Sequence, residues 1–161
     1  MLANKRYSKN IGASFVELAA GLLIAIPVFL FIFDCITVFI GTQFNEKVCR
    51  DAARFAASGP PKSAQQRAQN SVGDANVHKI GFVNSIEVVS VGNSLSDSEI
   101  MRASENGGTI SGEVTVTTAV NMKPMCLKIL SPKQKFLTVQ CKQTFPYTYM
   151  APNINIFNSN K

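Results

Sequence analysis

The chain has 161 residues, 46% of them hydrophobic and 16% charged, with a formal net charge of +6, one histidine, four cysteines and no tryptophan. A single histidine excludes a histidine-based metal cluster. Nucleic acid is excluded as a partner because the basic residues are scattered; only Lys123 to Lys142 is dense, with few aromatic residues between for base stacking. That basic surface suits anionic lipid headgroups or an acidic protein.

Residues 1–12 form a short leader that contributes nothing to a fold, with Lys5, Arg6 and Lys9 and no acidic residue. From Leu18 to Ile40 the chain is apolar apart from Pro27, Asp34 and Thr37, and as a helix this stretch is ~35 Å long, enough to cross a hydrocarbon core of ~30 Å. Basic residues before the span and mixed charges after Gly41 put the N-terminus in the cytoplasm and everything beyond the span outside. A cleaved secretory signal fits less well, because the apolar run is too long and no small-x-small site closes it.

Three polar or helix-breaking residues mark the span. Glu17, one residue before a Leu-rich run, is either a carboxylate at headgroup level or a paired, functional one. Pro27 removes a helical hydrogen bond, so the spacing predicts a kink or a loosened turn there. Asp34 lies ~10 Å below the end of the apolar run, placed either to reach the outer headgroups or to pair with a donor on another helix; Cys35 beside it reads as a small packing residue.

Beyond Gly41 the pattern becomes amphipathic. Phe44, Val48, Ala52 and Phe55 recur at i, i+4, i+8 and i+11 with charged residues between them, which predicts that the membrane helix continues as a water-exposed stem. Ser58-Gly59-Pro60-Pro61 ends it.

The basic leader, Gly12 followed by Ala13-Ser14-Phe15-Val16-Glu17, and the apolar helix resemble the processing site of bacterial type IV prepilins. Pro27, Asp34 and the closing phrase Asp51-Ala-Ala-Arg-Phe-Ala-Ala-Ser58 narrow this, being similar to the TadE-like minor pilins (pseudopilins) of the tight-adherence pilus system. Leu18 follows Glu17 where related pilin subunits carry Tyr or Phe, which argues against the pilin subunit group itself. The resemblance covers roughly residues 10 to 59. It implies that a membrane-embedded prepilin peptidase cuts between Gly12 and Ala13, making Glu17 the fifth mature residue. It further implies that Pro27 lets the helix stretch on leaving the bilayer, and that the partners are other pilin-like subunits and the pilus assembly platform.

A second helix is expected from Ser63, whose spacing to Gln66 has the form of a capping box, with Ala64, Ala68 and Val72 on one face up to Gly73. His78 falls in a polar stretch and reads as a surface residue. From Gly81 the period switches to two. Phe82–Val91, Ile110–Val120 and Phe136–Tyr149 predict three or four antiparallel strands; Val114, Val116 and Thr118 share one face of the second, and Leu137, Val139, Cys141, Phe145, Tyr147 and Tyr149 one face of the third. Ser96-Asp-Ser-Glu99 suggests a short capped helix, Asn106-Gly107-Gly108 a turn, and the segment after Pro152 a frayed end.

Four cysteines allow three full pairings. Cys35 and Cys49 stand ~21 Å apart on one helix, so they cannot bond within a chain. Cys126 and Cys141 flank a loop containing Pro132 and are the natural pair in an oxidising compartment; two free thiols are the alternative. No phosphate loop, HExxH, CxxC or nucleophile beside a base occurs, so neither a cofactor nor catalysis is expected.

The reading is therefore an α+β, type IV pilin-like chain. It comprises a leader at 1–12, a transmembrane helix at 13–41, an amphipathic stem at 42–59 and an exported domain at 60–161 with a short helix and a three- to four-stranded antiparallel sheet. Two other classes compete with a minor pilin: an unprocessed bitopic envelope protein whose exported domain binds a ligand or senses a signal, and a membrane-anchored enzyme.

Overall fold

The computed structural model describes residues 5–106, 108–124 and 136–150. A single helix, α1 (Lys5–Ala57), occupies the first third of the chain and at 1.5 Å per residue is ~80 Å long. Ser14–Ala57 of it is long and apolar enough to cross a membrane, with a mean hydropathy of 2.7 in its most apolar window. The helix starts within the expected leader and runs unbroken through Pro27. Pro27 removes one N–H and leaves one carbonyl of the preceding turn without its helical partner, a loss that a long helix can carry when neighbours or local adjustment satisfy the freed group. The hydroxyls of Thr37 and Thr42 donate to the carbonyls of Phe33 and Val38, both at 2.9 Å, so each is satisfied within the helix.

As expected, α1 ends before the Ser58-Gly59-Pro60-Pro61 break. A 3₁₀ turn at Pro61–Ser63 leads into α2 (Ala64–Val77). The capping box expected at Ser63 does not form: Ser63 Oγ donates back to the Pro60 carbonyl at 3.2 Å, and no side chain caps the helix. Nor does α2 stop at Gly73. It continues one more turn, which brings Asn76 to the sheet, where its amide donates to the Ile86 carbonyl at 2.7 Å and accepts from the Ile86 N–H at 3.0 Å. Asn76 thus satisfies both edge-facing backbone groups of Ile86, and this tertiary bond offsets the ~1 kcal/mol that a glycine costs in a helix interior.

Three strands follow: β1 (Val83–Asn93), β2 (Thr109–Met122) and β3 (Leu137–Met150). They form an antiparallel sheet in the order β1-β2-β3, with α3 (Asp97–Asn106) inserted between β1 and β2. The expected cap of α3 is present. Ser96 N–H and Oγ both donate to Glu99 Oε2 at 2.9 Å, the half of a capping box in which the Glu side chain reaches back to the Ser N–H, while the Glu99 N–H bonds to the Ser96 carbonyl at 3.1 Å. Gly107 of the expected turn lies outside the described residues.

Alternation along β2 and β3 follows the sequence pattern, with Val114, Val116, Thr118 and Val120 buried on one face. In β1 the register shifts between Val83 and Ser85 and again between Val88 and Ser90. Each bulge inserts a residue, so the inward positions are Val83, Ile86, Val88 and Val91 rather than every second residue. The opposite face is polar: Thr115 pairs with Thr144 at 2.9 Å, and Asn121 bridges Ser85 and Thr138 at 3.1 and 2.6 Å. In the main core Val48, Ala52, Ala53 and Ala56 of α1 and Ala64, Ala68 and Val72 of α2 cover Ile86, Val114, Val116, Val120 and Met122 of the sheet, and a small second cluster joins Ile100 of α3 to Ile110 of β2. The architecture is a two-layer α+β domain in which the C-terminal part of α1 lies across β2 and β3, and α2 lies against β1.

Candidate functional site

The residues singled out in the sequence are strung along α1 rather than gathered. Gly12 is exposed, with nothing within 4 Å of the space a Cβ would occupy. Ala13 is a helical position, and Glu17 and Pro27 are exposed. At 1.5 Å per residue Pro27 stands ~22 Å and Asp34 ~33 Å from Gly12, so no pocket unites them. Ala13 and Glu17 are four apart and therefore share a helix face.

Asp34 departs from the expectation. It is only 9% exposed, while Phe33 and Cys35 on either side are exposed. Asp34, Gly41, Asn45, Val48, Ala52 and Ala56 are all buried, and their spacings of seven, four, three, four and four residues make a single helix stripe. Asp34 is thus the N-terminal end of the stripe along which α1 meets the rest of its own chain.

That stripe is rotated from the apolar face read in the sequence. Phe55 is 57% exposed, and Asn45 and Cys49 are fully buried in its place. The cause is steric. A sheet surface carrying Val116, Val120 and Met122 fills the space between the layers, so the helix can approach only with small or slender residues. At Gly41 the approach is closest: an added Cβ would fall 1.9 Å from Met122 Sδ.

Within the interface lies a polar seam that sequence reasoning missed. Asn45 Nδ2 donates to the Val139 carbonyl at 3.2 Å and Asn45 Oδ1 accepts from Thr118 Oγ1 at 2.9 Å, so the fully buried Thr118 is satisfied. One turn on, the Cys49 thiol contacts the Val116 and Cys141 carbonyls, both at 3.4 Å. The available signal was a small or slender residue at every fourth position from Gly41 through Asn45 to Cys49. Burial, reinforced by the Cys49 thiol and by Glu46, pushes the Cys141 thiol up to about 11. Cys35, Cys49 and Cys141 are free thiols; Cys126, the other half of the expected bridge, lies outside the described residues.

The end of the stem is clamped by Arg67. Its guanidinium donates to the carbonyls of Phe55, Ala56 and Pro60 at 2.9, 2.6 and 2.9 Å, and to Ser63 Oγ. The Phe55 and Pro60 carbonyls also accept turn bonds from the Ser58 and Ser63 amides at 3.2 and 3.1 Å, so the guanidinium adds to acceptors at the helix end and in the turn beyond it, and the cation suits the negative end of the helix dipole. Desolvation lowers the Arg67 pKa, with no consequence for its charge at neutral pH. Beside the clamp, Phe44, Lys47, Asp51 and Phe55 face Asp74 and the exposed His78 across an open groove of about 290 Å³. Among the described residues no group of three or more His, Cys, Asp or Glu is arranged to hold a metal. No family model, curated protein or solved structure matches the chain.

Proposed function

We propose that this chain is a TadE-like minor pilin or pilus-assembly component, cut by a prepilin peptidase between Gly12 and Ala13 and acting by helix packing rather than catalysis. The supporting observation is the contrast between the two parts of α1. From Asp34 to Ala56 one stripe is sealed against the chain's own domain, whereas Leu23, Phe29 and Phe31 are 75%, 68% and 62% exposed and, at ~100° per residue, point to three different sides. A helix apolar all round must be enclosed by lipid or by other helices. Lipid of the bacterial inner membrane encloses it first, with the N-terminus cytoplasmic and the α+β domain exported. Helices of other pilin-like subunits replace the lipid on assembly.

Glu17 supplies register in this scheme. Cleavage frees an α-amine at Ala13 that is protonated at neutral pH, at the positive end of the helix dipole. Glu17 of one subunit answers the amine of a neighbour. Because an unpaired carboxylate in that environment is costly, the pair tests alignment more than it adds net stability. Intact mass of the membrane-extracted protein should correspond to a chain beginning at Ala13; a chain still beginning at Met1 would leave the unprocessed bitopic reading. Glu17→Gln should leave the outer domain folded and exported while crosslinking to partner pilins falls several-fold, and Glu17→Asp should keep part of the yield. Crosslinking unchanged in Glu17→Gln at equal protein levels would remove Glu17 from assembly.

A further inference from the structure

Two cysteines 92 residues apart are brought together by the packing of the stem on the sheet. Cys49 on α1 is fully buried, and its thiol reaches the Cys141 carbonyl at 3.4 Å. Cys141 lies on the helix-facing side of β3, directly across from Thr118 of β2, the layer against which Cys49 packs. The position is held from both directions: Thr118 is bonded to Asn45, one helical turn before Cys49, and Arg54, a turn and a half after it, lies over the Phe145 ring of β3 at 5.4 Å.

We propose that Cys49 and Cys141 are a disulfide-forming pair that staples the stem helix to strand β3. Disulfides need their Cβ atoms ~3.5–4.5 Å apart and their side chains directed at each other, and a Cys49 sulfur 3.4 Å from the Cys141 carbonyl, on the helix-facing side of β3, brings the two side chains within reach of each other across the helix–sheet interface. The proposal rests on the export of the domain assigned above for its setting in the cell, though not for its geometry.

The reaction needs an oxidant of the disulfide class, either a dithiol–disulfide oxidoreductase or glutathione disulfide. The thiolate of one cysteine attacks the oxidant's disulfide, releasing one thiolate and leaving a mixed disulfide; the second cysteine, losing its proton, displaces the other half. Two protein thiols lose two protons and two electrons, and the oxidant's disulfide becomes two thiols. Timing follows from burial. In the closed domain Cys49 is inaccessible and Cys141, raised to about 11, is almost entirely protonated at neutral pH, so neither thiol is reactive. The bond must therefore form while the stem is docking, and a chain folded under reducing conditions should oxidise slowly. Cys126 is the competitor, since Cys141 can hold only one partner.

Trypsin separates the relevant cysteines, because cleavage after Lys47 and Arg50 isolates Cys49 while cleavage after Lys135 and Lys142 isolates Cys141 from Cys126. The full chain, unfolded, reduced and refolded in detergent with a mixture of reduced glutathione and glutathione disulfide, should give a non-reduced peptide joining Cys49 to Cys141. The same link should form in Cys126→Ala, and the apparent Tm of the oxidised protein should exceed that of Cys49→Ala by roughly 10 °C. A Cys126–Cys141 peptide in the wild type, or no link between Cys49 and Cys141, would overturn the proposal. A Cys49–Cys141 link formed on refolding but absent from protein taken from cells would leave the pair standing and count against export instead.

Discussion

Asn45 and Arg67 show how much a single polar side chain can decide at a helix interface. Asn45→Ala strands the buried Thr118 hydroxyl, and one unsatisfied buried polar group costs about 1–3 kcal/mol. Replacing both partners removes the orphan, so Asn45→Leu/Thr118→Val should recover most of the loss; chemical denaturation of the wild type, Asn45→Leu, Thr118→Val and the double mutant checks this, and an additive double mutant would contradict it. Arg67 acts on three carbonyls at once. Arg67→Ala should cost about 1–3 kcal/mol and speed hydrogen exchange at the Ser58 amide, which bonds to the Phe55 carbonyl at 3.2 Å. Arg67→Lys should recover less than half, because an ammonium is a point donor and cannot spread over the same acceptors.

At the scale of elements, α3 depends on its cap. Glu99 is held below its ordinary value of 4.5, first by the backbone hydrogen bond from Ser96 and then by the Ser96 hydroxyl. A depressed folded pKa means that the carboxylate's contribution is complete above the ordinary value and is lost as pH falls through the folded one. Acidification below pH 4.5 should therefore release the Ser96 amide, seen as a shift of its NMR resonance and faster exchange, while the sheet amides stay protected. In Glu99→Gln the pH-dependent step should vanish. The first and second helices behave differently, since their ends are fastened by tertiary contacts from Arg67 and Asn76 rather than by their own caps.

For the whole molecule, the stem is part of the core and not merely a spacer. Val48, Ala52, Ala53 and Ala56 pack in the same cluster as Ile86, Val116 and Met122. A chain beginning at residue 60 should lose cooperative unfolding, because removing the stem exposes the inner faces of β2 and β3. One beginning at residue 34 keeps the entire buried stripe and should unfold cooperatively in mild detergent, with a thermal midpoint near that of the full chain. Circular dichroism melting of the two truncations compares them directly; a cooperative transition in the shorter one would show that the sheet and α2 suffice.

Local chemistry made much of this legible beforehand. A long apolar run can satisfy its backbone only as a helix in lipid, two prolines must break a helix, and alternating β-branched residues fit a half-buried strand, so α1, its end, the three strands and the Ser96–Glu99 cap could be read directly. The inner face of α2 was also visible in Ala64, Ala68 and Val72. What the sequence did not contain was the shape of each partner surface. Periodicity locates an apolar face to within a turn, but whether Phe55 or Cys49 points inward depends on how much room Val116, Val120 and Met122 leave. The clamp of Arg67 on the end of α1 and the meeting of Cys49 with Cys141 likewise join residues from separate elements. Only the folded chain fixes those distances, because steric fit between surfaces far apart in sequence has no local signature.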